Sequence, residues 1–138
     1  MELLYTAEAT ATGGRRAGRA RSADGELDVR IAPPKEVGGP GGATNPEQLF
    51  AAGYAACFDN SLTLIARWEK LTVEQTSVTA LVGLGRLDDG GFGLDVELRV
   101  TVTGVSRDQA EDLVAKAHQL CPYSRATRGN LDVRITLV

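Results

Sequence analysis

TNPEQLFAAGYAACF, residues 44–58, opens the helix on which the rest of the chain is arranged. Thr44 or Asn45 can cap it, Pro46 suits its first turn, and Glu47 complements the positive end of its dipole. The helical pattern continues to about Lys70, with Leu49, Phe50, Tyr54, Phe58, Leu62, Leu64, Ile65 and Trp68 distributed around it. A helix apolar on every side is expected to be buried on every side. Ala51, Ala52, Gly53, Ala55 and Ala56 remove side-chain bulk and admit another backbone. Gly53 costs about 1 kcal/mol of helix stability relative to Ala, which close packing would offset. A chain this short can hardly bury such a helix alone, so the pattern points to a dimer. Within the run stands Cys57, flanked by Ala55, Ala56 and Phe58.

Upstream, LLYTAEATAT alternates in strand fashion, and ELDVRIA places Leu27, Val29 and Ile31 on one face, with the turn SADG between them. APPKEVGGPGGATNP is a loop of about a dozen residues, long enough to suggest that it borders a functional site. Downstream, TSVTALVGLG and FGLDVELRVTVTG flank LDDGG, a hairpin signal. Leu94, Val96, Leu98, Val100 and Val102 face one way, as in an antiparallel sheet with one wet face. Ser106 caps a second helix whose stripe is Leu113, Val114, Ala117 and Leu120, and Pro122 ends it. NLDVRITLV closes the chain as a strand. The expected order is strands, long helix, two strands, helix, strand: an α+β fold in one domain spanning residues 1–138.

Composition narrows the function. Of the 138 residues, 43% are hydrophobic and 24% charged, which is globular composition. The net charge of −3 and pI near 5.2 speak against nucleic acid as a partner. No uninterrupted apolar run reaches the roughly 18–20 residues of a membrane span, and MELLYTAEAT does not read as a secretory leader. A cytoplasmic protein is expected, in which both cysteines stay reduced. Cys57, Cys121 and His118 make three potential ligands where structural zinc takes four, so no metal is expected.

Neither cysteine is activated by its local sequence. Cys57 is mid-helix among apolar neighbours, which disfavour a thiolate. A negative charge on Cys121 would meet the negative end of the preceding helix. A thiol of ordinary pKa near 8.5 is only a few per cent thiolate at pH 7, and lowering it by about two units requires roughly 2.7 kcal/mol. A guanidinium about 4 Å away, at an effective dielectric near 20, supplies on the order of 4 kcal/mol before desolvation. One arginine from elsewhere in the fold is therefore sufficient. The candidates are the cluster Arg15, Arg16, Arg19 and Arg21, or the pair Arg125 and Arg128, with Glu47 as an anchor about three turns before Cys57. On residues alone, Cys57 is either a buried structural thiol or a nucleophile.

TNPEQLFAAGYAACF together with CPYSRATRGN resembles the organic hydroperoxide resistance proteins of the Ohr/OsmC family. LYTAEATATGGR, GGPGG and NLDVRITLV fit the same family, so the likeness runs the length of the chain. The resemblance implies an OsmC-like fold, with antiparallel sheets packed around long central helices in an intertwined homodimer. It implies a thiol-dependent peroxidase that reduces organic hydroperoxides to alcohols and holds no bound cofactor. Cys57 matches the peroxidatic cysteine, Cys121 the resolving cysteine, Arg15 the activating arginine and Glu47 the carboxylate holding it. The reductant implied is an external dithiol, a dihydrolipoyl group on a lipoylated partner protein. An apolar approach, with Phe50, Phe58 and Tyr123 as lining residues, would favour fatty or aromatic hydroperoxides.

Two departures from the family pattern stand out. GGRRAG carries two arginines where one is usual; counting forward from LYTA selects Arg15, and counting back from the next strand selects Arg16. AACFDNSL places Asp59 and Asn60 beside Cys57 in place of an apolar continuation. The rival readings are an OsmC-branch peroxidase of different preference and a peroxide-sensing module. The uninterrupted NPEQLFAAGYAACF and CPYSRATRGN favour the organic hydroperoxide resistance proteins over the OsmC branch, and multiple turnover with excess dithiol distinguishes an enzyme from a sensor.

Overall fold

In the computed structural model, which describes Met1–Val138, the expected helix runs Pro46–Trp68 (α1). Asn45 is its cap, accepting the Gln48 backbone N–H on Oδ1 at 2.9 Å. Lys70, at a left-handed φ of +55°, follows its last turn, so the helix stops two residues short of expectation. The chain divides into two units, Met1–Leu49 and Phe50–Val138.

In the first unit, Ala9–Thr12 (β1), Gly18–Ser22 (β2) and Asp28–Ile31 (β3) form an antiparallel sheet in chain order. β2 lies within the arginine cluster, and its Arg19 forms a two-pronged pair with Asp28 of β3 at 2.7 and 2.6 Å. None of the three strands holds a buried residue. The strand expected across LLYTAEATAT is confined to its last four residues. The following loop returns to the sheet through a bridge between Ile31 and Thr44.

In the second unit, Gln75–Arg86 (β4) and Phe92–Thr103 (β5) make the expected hairpin. Its turn uses Gly90 at φ +86°, a conformation that glycine adopts without a Cβ penalty. Arg107–Leu120 (α2) follows, with a complete capping box between Ser106 and Gln109. Pro122 ends α2 as expected but also opens a short helix, Pro122–Thr127 (α3), which the sequence reading did not anticipate. Proline fits the first helical position as well as it stops a preceding helix.

The last strand, Val133–Leu137 (β6), pairs with β5 in parallel. The sheet order β4-β5-β6 is thus mixed rather than purely antiparallel. Val96, Leu98 and Val100 of β5 are fully buried with Tyr54, Phe58 and Leu62 of α1 and Leu113 and Ala117 of α2.

Within this chain α1 is not buried on every side. Its buried face is Tyr54, Phe58, Ser61, Leu62, Ile65 and Ala66, whereas Leu64 and Trp68 are 39% and 61% exposed. By length and composition alone α1 would pass for a membrane span. The buried face packed on β5 and α2 makes it the core helix of this unit.

Candidate active site: two thiols at a helix junction

Three helical segments bring the cysteines together. Cys57 projects from α1, and Cys121 is both the last cap of α2 and the first cap of α3. Their Sγ atoms lie 3.5 Å apart, with the Cys121 thiol donating toward Cys57. Both are free thiols; Cys121 is fully buried and Cys57 is half-buried. A disulfide requires about 2.05 Å between sulfurs, so the pair is poised about 1.5 Å short of a bond.

Burial pushes the Cys57 thiol upward from its ordinary value, and the neighbouring Cys121 adds to the rise. The backbone N–H of Tyr123, in the first turn of α3, acts in the opposite direction by favouring the charged sulfur. This agrees with the expectation that the apolar surroundings of Cys57 disfavour its thiolate. Cys121 stands at the C-terminal end of α2 as expected, and a second short helix begins directly behind it.

A ring cluster borders Cys57. Tyr54 meets Phe50 edge-on at 6.0 Å between centroids and Tyr123 at 5.7 Å. Gly53 makes room for this: a Cβ there would lie 3.1 Å from the Tyr123 hydroxyl. Phe50 is half-buried and Tyr123 is exposed, whereas Phe58 is sealed in the core. An apolar groove of about 620 Å³ lies further along α1 between Ile65, Trp68, Leu120 and Arg125, and neither cysteine lines it.

The remaining charged candidates separate by their partners. Arg19 is held by Asp28, and Arg128 donates to the His118 carbonyl at 2.7 Å. Arg15 and Arg16 lie exposed in the turn between β1 and β2, and neither forms an ion pair in this chain. Glu47 is half-buried in the first turn of α1 and likewise unpaired. Asp59 accepts from Thr76 Oγ1 of β4 at 2.5 Å, which explains its place beside Cys57 as an anchor for the sheet. Asn60 is exposed, and its backbone carbonyl accepts from Thr63.

Sequence reasoning missed three polar residues one turn from the cysteines. Tyr54 and Ser124 share a hydrogen bond of 2.9 Å, and His118 Nδ1 lies 2.9 Å from the same serine oxygen. Burial, and next the charge of Arg128, hold the His118 pKa below its ordinary value. The available signal was the spacing His118, Cys121, Ser124 at steps of three.

A small α+β protein with two reduced thiols set between its long helix and a helix junction is the class defined here, and residues 39–136 match the OsmC-like protein family. The chain belongs to that family, and within it to the organic hydroperoxide resistance proteins. It is 54% identical to the organic hydroperoxide resistance protein of Xanthomonas axonopodis pv. citri (strain 306), over 99% of this chain and 96% of that one. It is 51% identical to organic hydroperoxide resistance protein OhrA of Bacillus subtilis (strain 168), over 96% and 94% of the two chains. The crystal structure of an organic hydroperoxide resistance protein from Elizabethkingia anophelis superposes with a TM-score of 0.95 at 51% identity, covering 99% of this chain and 98% of that one.

Proposed function

We propose that this protein is a cysteine-based peroxidase that reduces organic hydroperoxides to alcohols. The observation that carries the reading is the pair of reduced thiols with sulfurs 3.5 Å apart, one half-exposed and one buried, in a chain about half identical to organic hydroperoxide resistance proteins. The Cys57 thiolate attacks the distal peroxide oxygen, the O–O bond breaks, and the alkoxide takes a proton to leave as ROH. Cys57 becomes a sulfenic acid. Cys121 attacks that sulfur, forming a disulfide and releasing water. An external dithiol then restores both thiols by exchange and is itself oxidised to a disulfide.

Arg15 is assigned to stabilise the thiolate and the developing alkoxide, and Glu47 to hold Arg15. Neither Arg15 nor Glu47 has an ion-pair partner in this chain, which leaves both free for that role. Half-buried Phe50 and exposed Tyr123 favour hydroperoxides with an apolar R group, because burying R contributes binding that hydrogen peroxide lacks. The working form is assigned as a homodimer in the cytoplasm, recycled by a dihydrolipoyl group on a lipoylated protein. Exposed Leu64 and Trp68 on α1 support a covering subunit.

Intact mass after one equivalent of an organic hydroperoxide tests the mechanism. Loss of two hydrogens is expected; a stable gain of one oxygen would remove Cys121 from its role. Catalytic turnover with excess dithiol is also expected, whereas a single turnover would favour a sensing module.

A further inference from the structure

The mechanism above leaves one buried polar group of residues without a task. Ser124 Oγ sits 2.9 Å from the Tyr54 hydroxyl and 2.9 Å from His118 Nδ1, and Tyr54 OH also lies 3.3 Å from Thr127 Oγ1. Tyr54 and Ser124 are fully buried, and no buried side-chain polar atom of the chain lacks a partner. A hydroxyl offers one donor and two acceptor positions, so a serine can serve both neighbours at once.

The placement of these residues is what distinguishes them from an ordinary satisfied cluster. Tyr54 precedes Cys57 by three positions on α1, His118 precedes Cys121 by three on α2, and Ser124 follows Cys121 by three on α3. Three residues is one helical turn, so each partner lies on its cysteine's side of the helix. The three segments that carry the sulfurs are therefore bolted to one another one turn away from them. Ser124 is the common point.

We infer that Ser124, bridged to Tyr54 and His118, is a positioning residue that sets the separation of the Cys57 and Cys121 sulfurs and thereby speeds disulfide closure. The inference rests on the assignment of Cys57 and Cys121 as peroxidatic and resolving cysteines. In the step concerned the Cys57 S–O bond breaks, an S–S bond forms, and the thiol proton leaves with the hydroxide as water. The sulfurs must approach from 3.5 Å to bonding distance, so a small drift of α3 matters. Misplacement of reacting atoms by about 1 Å costs up to about 10²-fold in rate.

The test separates oxidation of Cys57 from closure. Full-length wild type and Ser124→Ala are mixed with one equivalent of cumene hydroperoxide, quenched over time, and followed by intact mass with dimedone trapping the sulfenic acid. In Ser124→Ala closure is expected to slow about tenfold or more, the trapped sulfenic acid to accumulate, and excess peroxide to carry Cys57 on to sulfinic acid. His118→Leu should slow closure in the same way. His118→Asn, which keeps a polar atom near the Nδ1 position, should restore it toward the wild-type rate. Closure of Ser124→Ala at the wild-type rate, with native circular dichroism, would overturn the inference. If Ser124→Ala does not fold, Tyr54→Phe and His118→Leu, which each retain one arm of the bridge, are judged by the same criterion.

Diamide makes the result independent of peroxide chemistry, since it accepts two electrons and two protons and closes the same disulfide. Slower diamide closure in Ser124→Ala, with no hydroperoxide reduction by wild type, would sink the proposed function and leave the positioning role standing. Hydroperoxide turnover by wild type, with equal closure rates for both proteins under both oxidants, would sink the positioning role alone.

Discussion

Two three-stranded sheets of this chain meet opposite fates. In the first sheet β1 is exposed throughout and β2 and β3 alternate without burying a residue, while β5 seals Val96, Leu98 and Val100 completely. The side chains account for much of the difference. β1 and β2 carry Ala, Thr, Gly, Arg and Ser, which offer little apolar area, whereas β5 alternates Leu and Val against a layer of two helices. Period-two patterning makes a strand, but a core needs large apolar groups and a second layer facing them. The chemistry divides in the same way. Both thiols belong to the unit with the core, and the arginine assigned to activate Cys57 belongs to the sheet without one.

This contrast is best broken at its strongest point first. Cys57→Ser is expected to abolish hydroperoxide reduction in a dithiol-driven assay while leaving the fold intact, and retained turnover would move the chemistry out of the C-terminal unit. The stability contrast comes next. Leu98→Ala should cost about 2–5 kcal/mol in urea unfolding, the usual range for a sealed core position. Arg30→Ala, exposed on β3, should stay within about 0.5 kcal/mol. Comparable losses for the two would mean that the N-terminal sheet is packed as firmly as β5.

The smallest of the three effects sharpens the division of chemistry. Arg15→Ala should slow alkylation of Cys57 at pH 7 about a hundredfold, matching a pKa change of about two units. Only the thiolate reacts, so the rate rises with pH. Burial raises the Cys57 pKa, so the midpoint of Arg15→Ala should lie above that of wild type, by about two units if Arg15 supplies the activation. If Arg16→Ala shows this shift and Arg15→Ala does not, the register of GGRRAG belongs to Arg16.

What was legible in the sequence followed from apolar periodicity and from caps. The start of α1 at Pro46, the β4–β5 hairpin around LDDGG, and α2 behind Ser106 all carry strong local signals. β2 was concealed because GRARS alternates arginine with small residues and has no apolar rhythm. α3 was concealed because Pro122 reads as a stop, although the same ring suits a first helical turn. The parallel pairing of β6 could not be read locally, since alternation looks the same in either direction. The electrostatic reading of Cys57 matched its surroundings because its neighbours along the helix are also its neighbours in space. Cys121 stands at the end of α2 as expected, and what the sequence did not show is the short helix that begins behind it.

The parallel pairing of β5 with β6 has a consequence for the protein's birth. Such a pair can form only after the intervening α2 and α3 have been made, because parallel strands need a long crossover. The sulfurs that meet at 3.5 Å are 64 residues apart in the chain. At roughly 5–20 residues per second, about 3–13 s of synthesis separate Cys57 from Cys121. Until that crossover is complete Cys57 has neither its neighbouring thiol nor the folded surroundings in which the proposed activation would act, so the paired chemistry belongs to the finished chain alone.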